Sequence, residues 1–202
     1  WKSIDVTIEN KQIEEAKAFI ATGIDAYVFI SNRFAKADED DDVLLKNMEY
    51  VASNLPDIPL GVYECPYPYK REISPYVLKK MVESERYLFI KDTCCSTVKL
   101  KEKLDIIKGS SVMLFNANGA TLYESIKMGA HGYSGVMANF HPEIYSWLCK
   151  NYKTEPEKAK EVQAFLAFAS MAECQYYPVN AKYHLGLCGL DIRYEARSRD
   201  LS

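Results

Sequence analysis

Short apolar runs alternate along the chain with stretches in which apolar residues recur every three or four positions. That alternation is the pattern of repeated βα units around a parallel sheet. It predicts a strand over Ser3–Ile8 and then a helix with Ile13, Ala16, Phe19 and Ile20 on one face, stopped by Gly23. A strand over Asp25–Ile30 follows. The carboxylates Asp38 to Asp42 precede a helix with Val43, Leu44, Met48 and Val51 on one side, where negative charge suits the positive end of the helix dipole. A solvated helix start accounts for that run better than a metal site does. Next come a strand Ile58–Tyr63, a loop Pro66–Lys70 and a helix from about Ser74 with Pro75 at its first position.

Beyond these, the pattern predicts a strand Tyr87–Lys91, a helix Val98–Ile107, a strand Ser111–Phe115, a helix opening at Asn118-Gly119 and a short strand Gly132–Ser134. From His141 the strands stop, and helices are expected over Pro142–Asn151, Glu155–Ala172 and Val179–Gly186. The expected class is α/β: residues 1–140 as part of a (β/α)8 TIM barrel and residues 141–202 as a helical region packed on it. A closed barrel of this kind runs to about 250 residues. Six units leave roughly the first two absent, and a chain opening at Trp1 rather than Met agrees with a missing front.

Composition narrows the function. A net charge of −3 and a pI near 5.7 offer no basic stripe, which argues against nucleic acid and anionic membrane and for a small metabolite. The six cysteines form no C-x-x-C pair and no zinc-like spacing, so reduced thiols in a cytoplasmic protein fit best. No apolar run approaches the roughly 18 residues of a membrane span.

Enzymes on barrels of this type keep their chemistry at the C-terminal ends of the strands. Lys91 ends the apolar run Tyr87-Leu88-Phe89-Ile90 there. An amine desolvated in such a place can lose its proton, attack a ketone and form an imine that serves as an electron sink. Position alone favours a plainer reading, a lysine that snorkels to solvent or pairs with Asp92. Tyr63 ends the preceding strand at the same level, where a phenol can shuttle protons; a core tyrosine is the commoner fate. The segment from Gly129 to Asn139 is glycine-rich, so backbone can approach a ligand closely, yet it has no nucleotide-binding spacing. Cys94-Cys95 lack a paired histidine and read as packing residues, and His131 and His141 read as structural or surface groups with no ligand spacing for zinc.

Taken together, Tyr63-Glu64-Cys65-Pro66, Phe89-Ile90-Lys91-Asp92-Thr93, Gly129-Ala130-His131-Gly132-Tyr133-Ser134-Gly135 and Asn139 resemble the dihydrodipicolinate synthase / N-acetylneuraminate lyase family in order and spacing. The tail, Pro178 to Lys182 followed by Gly186 to Gly189 and Arg193, is similar to that family's C-terminal helices. The resemblance implies a class I lyase or aldolase without metal or other cofactor, acting on pyruvate or a related 2-oxo acid. It implies Lys91 as the Schiff-base residue, Tyr63 as proton relay, Gly132, Tyr133 and Ser134 lining the 2-oxo acid pocket, and Thr93 facing the second substrate. It also implies a homo-oligomer, dimer or tetramer. Carbon–carbon cleavage, elimination of water and a catalytically silent ligand-binding role remain alternatives.

The chain departs from that family in several places. Glu64-Cys65 replaces the start of Asn-x-Pro, Pro68 stands near the place of an arginine, Arg33-Phe34 replaces a Tyr-Tyr pair, and Asn116-Ala117-Asn118 replaces Gly-x-Asp. The Gly-x-x-Gly-Glu segment would fall upstream of residue 1. The second substrate is left open by these changes.

Overall fold

The structure is a computed structural model that describes residues 10–199, so the strand expected over Ser3–Ile8 lies outside the described residues. It is an α/β fold with a parallel sheet, and it divides into two compact units, one ending at Phe115 and the other beginning at Asn116.

The first unit runs α1 (Asn10–Ile20), β1 (Tyr27–Ile30), α2 (Asp41–Ser53), β2 (Leu60–Tyr63), α3 (Pro75–Glu83), β3 (Tyr87–Asp92), α4 (Thr97–Ile107) and β4 (Met113–Asn116). Neighbouring strands follow chain order, β1-β2-β3-β4, as short right-handed crossovers require. The helix starts are fixed by side chains that accept orphan amides. Asp40 takes the Val43 N–H at 3.0 Å, Ser74 takes Val77 and Ser96 takes Lys99. The acidic run is therefore a helix cap and first turn.

The helix-facing layer of the sheet is apolar. Leu60, Val62 and Ile90 are buried, as are Leu44 and Met48 of α2, Val77 and Leu78 of α3 and Leu100 of α4. Each such side chain contributes about 1.5–3 kcal/mol of transfer free energy. The strand expected at Ser111 starts two residues later. A turn at Gly109 (φ 82°), in which Ser110 N–H and Oγ both reach the Ile107 carbonyl and Val112 N–H returns to Ser110 Oγ, consumes Ser111 and Val112.

The second unit begins with a single 3-10 turn (Gly119–Thr121) capped by the Asn118 side chain, then α5 (Leu122–Lys127), β5 (Gly132–Tyr133), a second 3-10 turn (Val136–Asn139), α6 (Pro142–Asn151), α7 (Pro156–Glu173) and α8 (Val179–Leu187). The three terminal helices match the expected spans to within a residue. Its core gathers Leu122, Ile126, Met137, Phe140, Tyr145, Leu148 and Leu166. Gln163 of α7 accepts from Tyr123 N–H at 2.7 Å and donates to Gly119 O at 2.9 Å, tying α7 to the start of α5. Among the described residues no helix is long and apolar enough to cross a membrane.

Candidate active site

Parallel pairing of β2 with β3 sets Gly61 opposite Phe89, Val62 opposite Ile90 and Tyr63 opposite Lys91. Side chains alternate along a strand, so Tyr63 and Lys91 share the face carrying Phe89, while Val62 and Ile90 face the helices. Gly61 is needed on that face: a Cβ there would lie 3.0 Å from the Phe89 Cβ and 3.2 Å from its carbonyl oxygen. Phe89 in turn packs on Phe115 with ring centres 5.2 Å apart. On this small apolar platform the Lys91 Nζ rests 4.4 Å from the centre of the Tyr63 ring.

Both groups are half-buried, and burial perturbs both. Desolvation holds the Lys91 amine below the ordinary lysine value, with the neighbouring Cys65 thiol pulling the other way. Burial first, then the charge of Cys65 and a hydrogen bond to it, push the Tyr63 hydroxyl up to about 12. Lys91 thus tends toward a neutral amine while Tyr63 keeps its proton. The plain alternative in which Lys91 pairs with Asp92 is not what forms. Asp92 points to the helix layer, fully buried, and its carboxylate binds Lys103 of α4 at 2.6 Å.

Lys103 is the residue that the sequence pattern missed. Only 3% exposed, its ammonium lies 2.5 Å from Glu64 Oε1 as well as beside Asp92. Burial opposes its charge, but the two carboxylates outweigh that and raise its affinity for a proton. Glu64, wholly buried, is shifted upward by desolvation, against the pull of Lys103 and with the push of Asp92. One signal was available: Lys103 falls between Leu100 and Leu104 and four residues before Ile107, on the apolar stripe of α4.

Glu64 also organises the strand ends. Its Oε1 accepts from Ile73 N–H and its Oε2 from Thr93 N–H, each at 2.8 Å, and its own N–H donates to the Lys91 carbonyl at 3.2 Å. The Thr93 hydroxyl donates to the Glu64 carbonyl at 2.7 Å, so both polar groups of this expected substrate-facing residue are engaged by Glu64. The loop after Tyr63 is held by Asn32, whose Nδ2 donates to the carbonyls of Cys65, Tyr67 and Tyr69 at 2.7–2.9 Å. Tyr69 Oη returns to the carbonyls of Asn32 and Ala35. Phe34 of the Arg33-Phe34 pair is buried against Phe29, ring centres 4.8 Å apart. Cys94 is buried and its thiol is pushed up to about 12 by desolvation, a packing residue rather than a nucleophile.

Gly132, Tyr133 and Ser134 belong to the second unit, on β5 and just after it. Ser134 N–H donates to the Asn116 carbonyl at 2.9 Å. The Tyr133 ring stacks on Tyr145, centres 4.1 Å apart and planes 3° off parallel. Gly135 makes room for it, since a Cβ there would collide with the Tyr133 hydroxyl and sit 2.5 Å from the Ala117 carbonyl oxygen. Asn116 is buried and spends its amide on Thr121 and Ser125 and its oxygen on Asn118 N–H. Among the described residues no group of three or more His, Cys, Asp or Glu is placed to hold a metal ion.

The model of the dihydrodipicolinate synthetase family matches residues 9–199. No curated protein matches the chain. Among solved structures, a prophage protein of the dihydrodipicolinic acid synthase family from E. coli K12, in complex with pyruvate, superposes with a TM-score of 0.81 at 21% identity, over 93% of this chain and 64% of that one. A dihydrodipicolinate synthase from Bacillus anthracis gives a TM-score of 0.82 at 17% identity, over 94% and 64%. The chloride-inhibited enzyme from Acinetobacter baumannii, complexed with pyruvate, gives 0.80 at 21%, over 96% and 66%. The chain therefore has their fold over nearly its whole length and spans about two thirds of theirs.

Proposed function

This chain belongs to the dihydrodipicolinate synthetase family, and we propose on that footing that it is the imine-forming part of a class I lyase acting on pyruvate or a related 2-oxo acid. The observation that carries the reading is the Lys91–Tyr63 pair: an amine biased toward its neutral form lies 4.4 Å from the ring centre of a tyrosine that keeps its proton. The neutral amine attacks C2 of the 2-oxo acid, and the carbinolamine loses water to give the imine. Once protonated, the imine draws electrons from C3, so a bond there breaks or forms through the enamine. Tyr63 supplies and recovers the proton that the attacked oxygen needs. Gly132, Tyr133 and Ser134 are proposed to line the 2-oxo acid pocket. Thr93 is proposed to reach the second substrate only through the loop that Glu64 fixes.

The fuller architecture belongs to the same proposal. The strands are read as part of a (β/α)8 barrel whose interior face carries Tyr63 and Lys91, and the working protein as a cytoplasmic homo-oligomer. Support for the barrel comes from the apolar character of that face: Val28 and Ile30, in register with Gly61 and Tyr63, are 40% and 39% exposed within the described residues.

Borohydride reduction in the presence of pyruvate tests the reading. A mass increment on the peptide carrying Lys91 is expected, and its absence with every common 2-oxo acid overturns it. A second reading, a catalytically silent ligand-binding relative, is favoured by Phe34, an apolar ring buried against Phe29 where the resemblance implies a tyrosine hydroxyl. Ligand-induced stabilisation without an adduct would select it.

A further inference from the structure

We propose that Lys103 is a positioning residue for the Tyr63–Lys91 pair: its buried ammonium ties together Glu64 and Asp92, the residues that directly follow them, and so holds two strand ends in the register that brings phenol and amine together. The proposal rests on the Schiff-base reading of Lys91 and adds to it a part played by α4.

The geometry points there from three sides. Glu64 and Asp92 occupy the helix-facing positions next to the two reactive ones, and both are fully buried. Lys103 Nζ bridges them at 2.5 and 2.6 Å, and no other cation is paired with either carboxylate among the described residues. The two carboxylates also accept from the backbone of the same strand ends and of the loop behind them, Thr93 N–H and Ile73 N–H on Glu64 and Cys94 N–H on Asp92, and Asp92 further meets the Cys94 thiol. The ion group thus fixes backbone just past Lys91 and in the loop at Ile73 while touching neither reactive side chain.

Packing alone would be served by an apolar residue at 103, whose neighbours on the stripe are Leu100, Leu104 and Ile107. Buried ion groups are often no more stabilising than well-packed apolar side chains, whereas the direction and number of their bonds restrict geometry far more. One ammonium also balances only one of the two carboxylates, and desolvation, with the charge of Asp92 added to it, shifts Glu64 upward. Removing the ammonium leaves the two carboxylates facing each other and drives the strand ends apart; removing one carboxylate along with it relieves that repulsion. The loss from the single change is therefore partly recovered in the double one.

The test uses the full chain as wild type, Lys103→Met, Lys103→Arg and Glu64→Gln/Lys103→Met. Two rates are read at Lys91 by peptide mass spectrometry: the borohydride-trapped pyruvate adduct, and reductive methylation by formaldehyde across pH. A misplacement of about 1 Å at a reacting group costs on the order of 10²-fold. The expected result is a loss of that order in adduct formation for folded Lys103→Met, with partial recovery in the double variant. The methylation midpoint of Lys91 should move upward in Lys103→Met, because a loosened register lets water reach the amine. Lys103→Arg keeps the charge in a different geometry and should show the same upward movement, which separates position from charge and serves if the methionine variant does not fold. Unchanged rates and midpoint in the folded variants overturn the proposal, as does a double variant as impaired as the single one. If wild type takes no 2-oxo acid but the methylation midpoint still moves in the variants, the substrate reading fails and the positioning role stands.

Discussion

The Lys91 Nζ lies over the ring of Tyr63, 4.4 Å from its centre, because the two residues are partners in the register of adjacent parallel strands. Their spacing is thus a property of the backbone, and each side chain can be changed with the other left in place.

Tyr63→Phe preserves the ring beneath Lys91 and removes only the hydroxyl. Formation of the pyruvate adduct at Lys91 should slow, because the carbinolamine oxygen loses its proton donor, and turnover in the full-length protein should fall by about 10²–10⁴-fold, the usual contribution of a positioned proton donor. Single-turnover trapping set beside steady-state rates separates the two effects. An unchanged rate of adduct formation would remove the hydroxyl from imine formation and overturn that role.

Lys91→Met should raise the melting temperature at neutral pH. Burial lowers the Lys91 pKa in the folded chain, so the unfolded chain binds more protons over the interval between the two values. Stability of the wild type therefore climbs with pH across that interval, and it is fully relieved of the penalty above the unfolded lysine value of 10.5. The advantage of the methionine variant should shrink as pH rises toward that value. Thermal unfolding of both proteins between neutral and alkaline pH reads it directly.

Asn32→Leu should loosen the loop from Cys65 to Tyr69. Three carbonyls lose a common donor at once, and a buried unsatisfied group costs about 1–3 kcal/mol. Hydrogen exchange of the amides of residues 65–73 should accelerate, with those of α2 unaffected.

Gly135→Ala should destabilise the second unit by about 1–3 kcal/mol, the range for overpacking a filled site. The added methyl meets the Tyr133 hydroxyl and the Ala117 carbonyl, one of which is backbone and cannot turn aside. Tyr133→Phe should return little of the loss in urea titrations, because the ring Cζ it keeps lies 2.3 Å from the added methyl.

Much of this was legible in the sequence because burial and periodicity are local. Leu60 to Tyr63 and Tyr87 to Lys91 read as strands from their apolar runs, and Ser74 with Pro75 announced a helix start. The terminal helices were found from their spacing. Lys103 was not, because a lysine between leucines on a helix reads as a solvated position until its partners are known, and those lie 39 and 11 residues away in the chain. The Lys91–Asp92 pairing that the sequence offers as one plain alternative does not form, because adjacency in sequence puts two side chains on opposite faces of a strand. The turn at Gly109 was hidden because its hydrogen bonds run through the Ser110 hydroxyl, which carries no periodicity.

The alternation of faces in β3 bears on how this protein can tolerate change. Deleting one residue between Tyr87 and Ile90 would present Asp92 to the open face and send Lys91 toward the helices, replacing an amine on that face with a carboxylate. The loop between Pro66 and Ile73 is bound to length in another way, since Asn32 and Glu64 hold it at Tyr67, Tyr69 and Ile73, so it too should change by substitution.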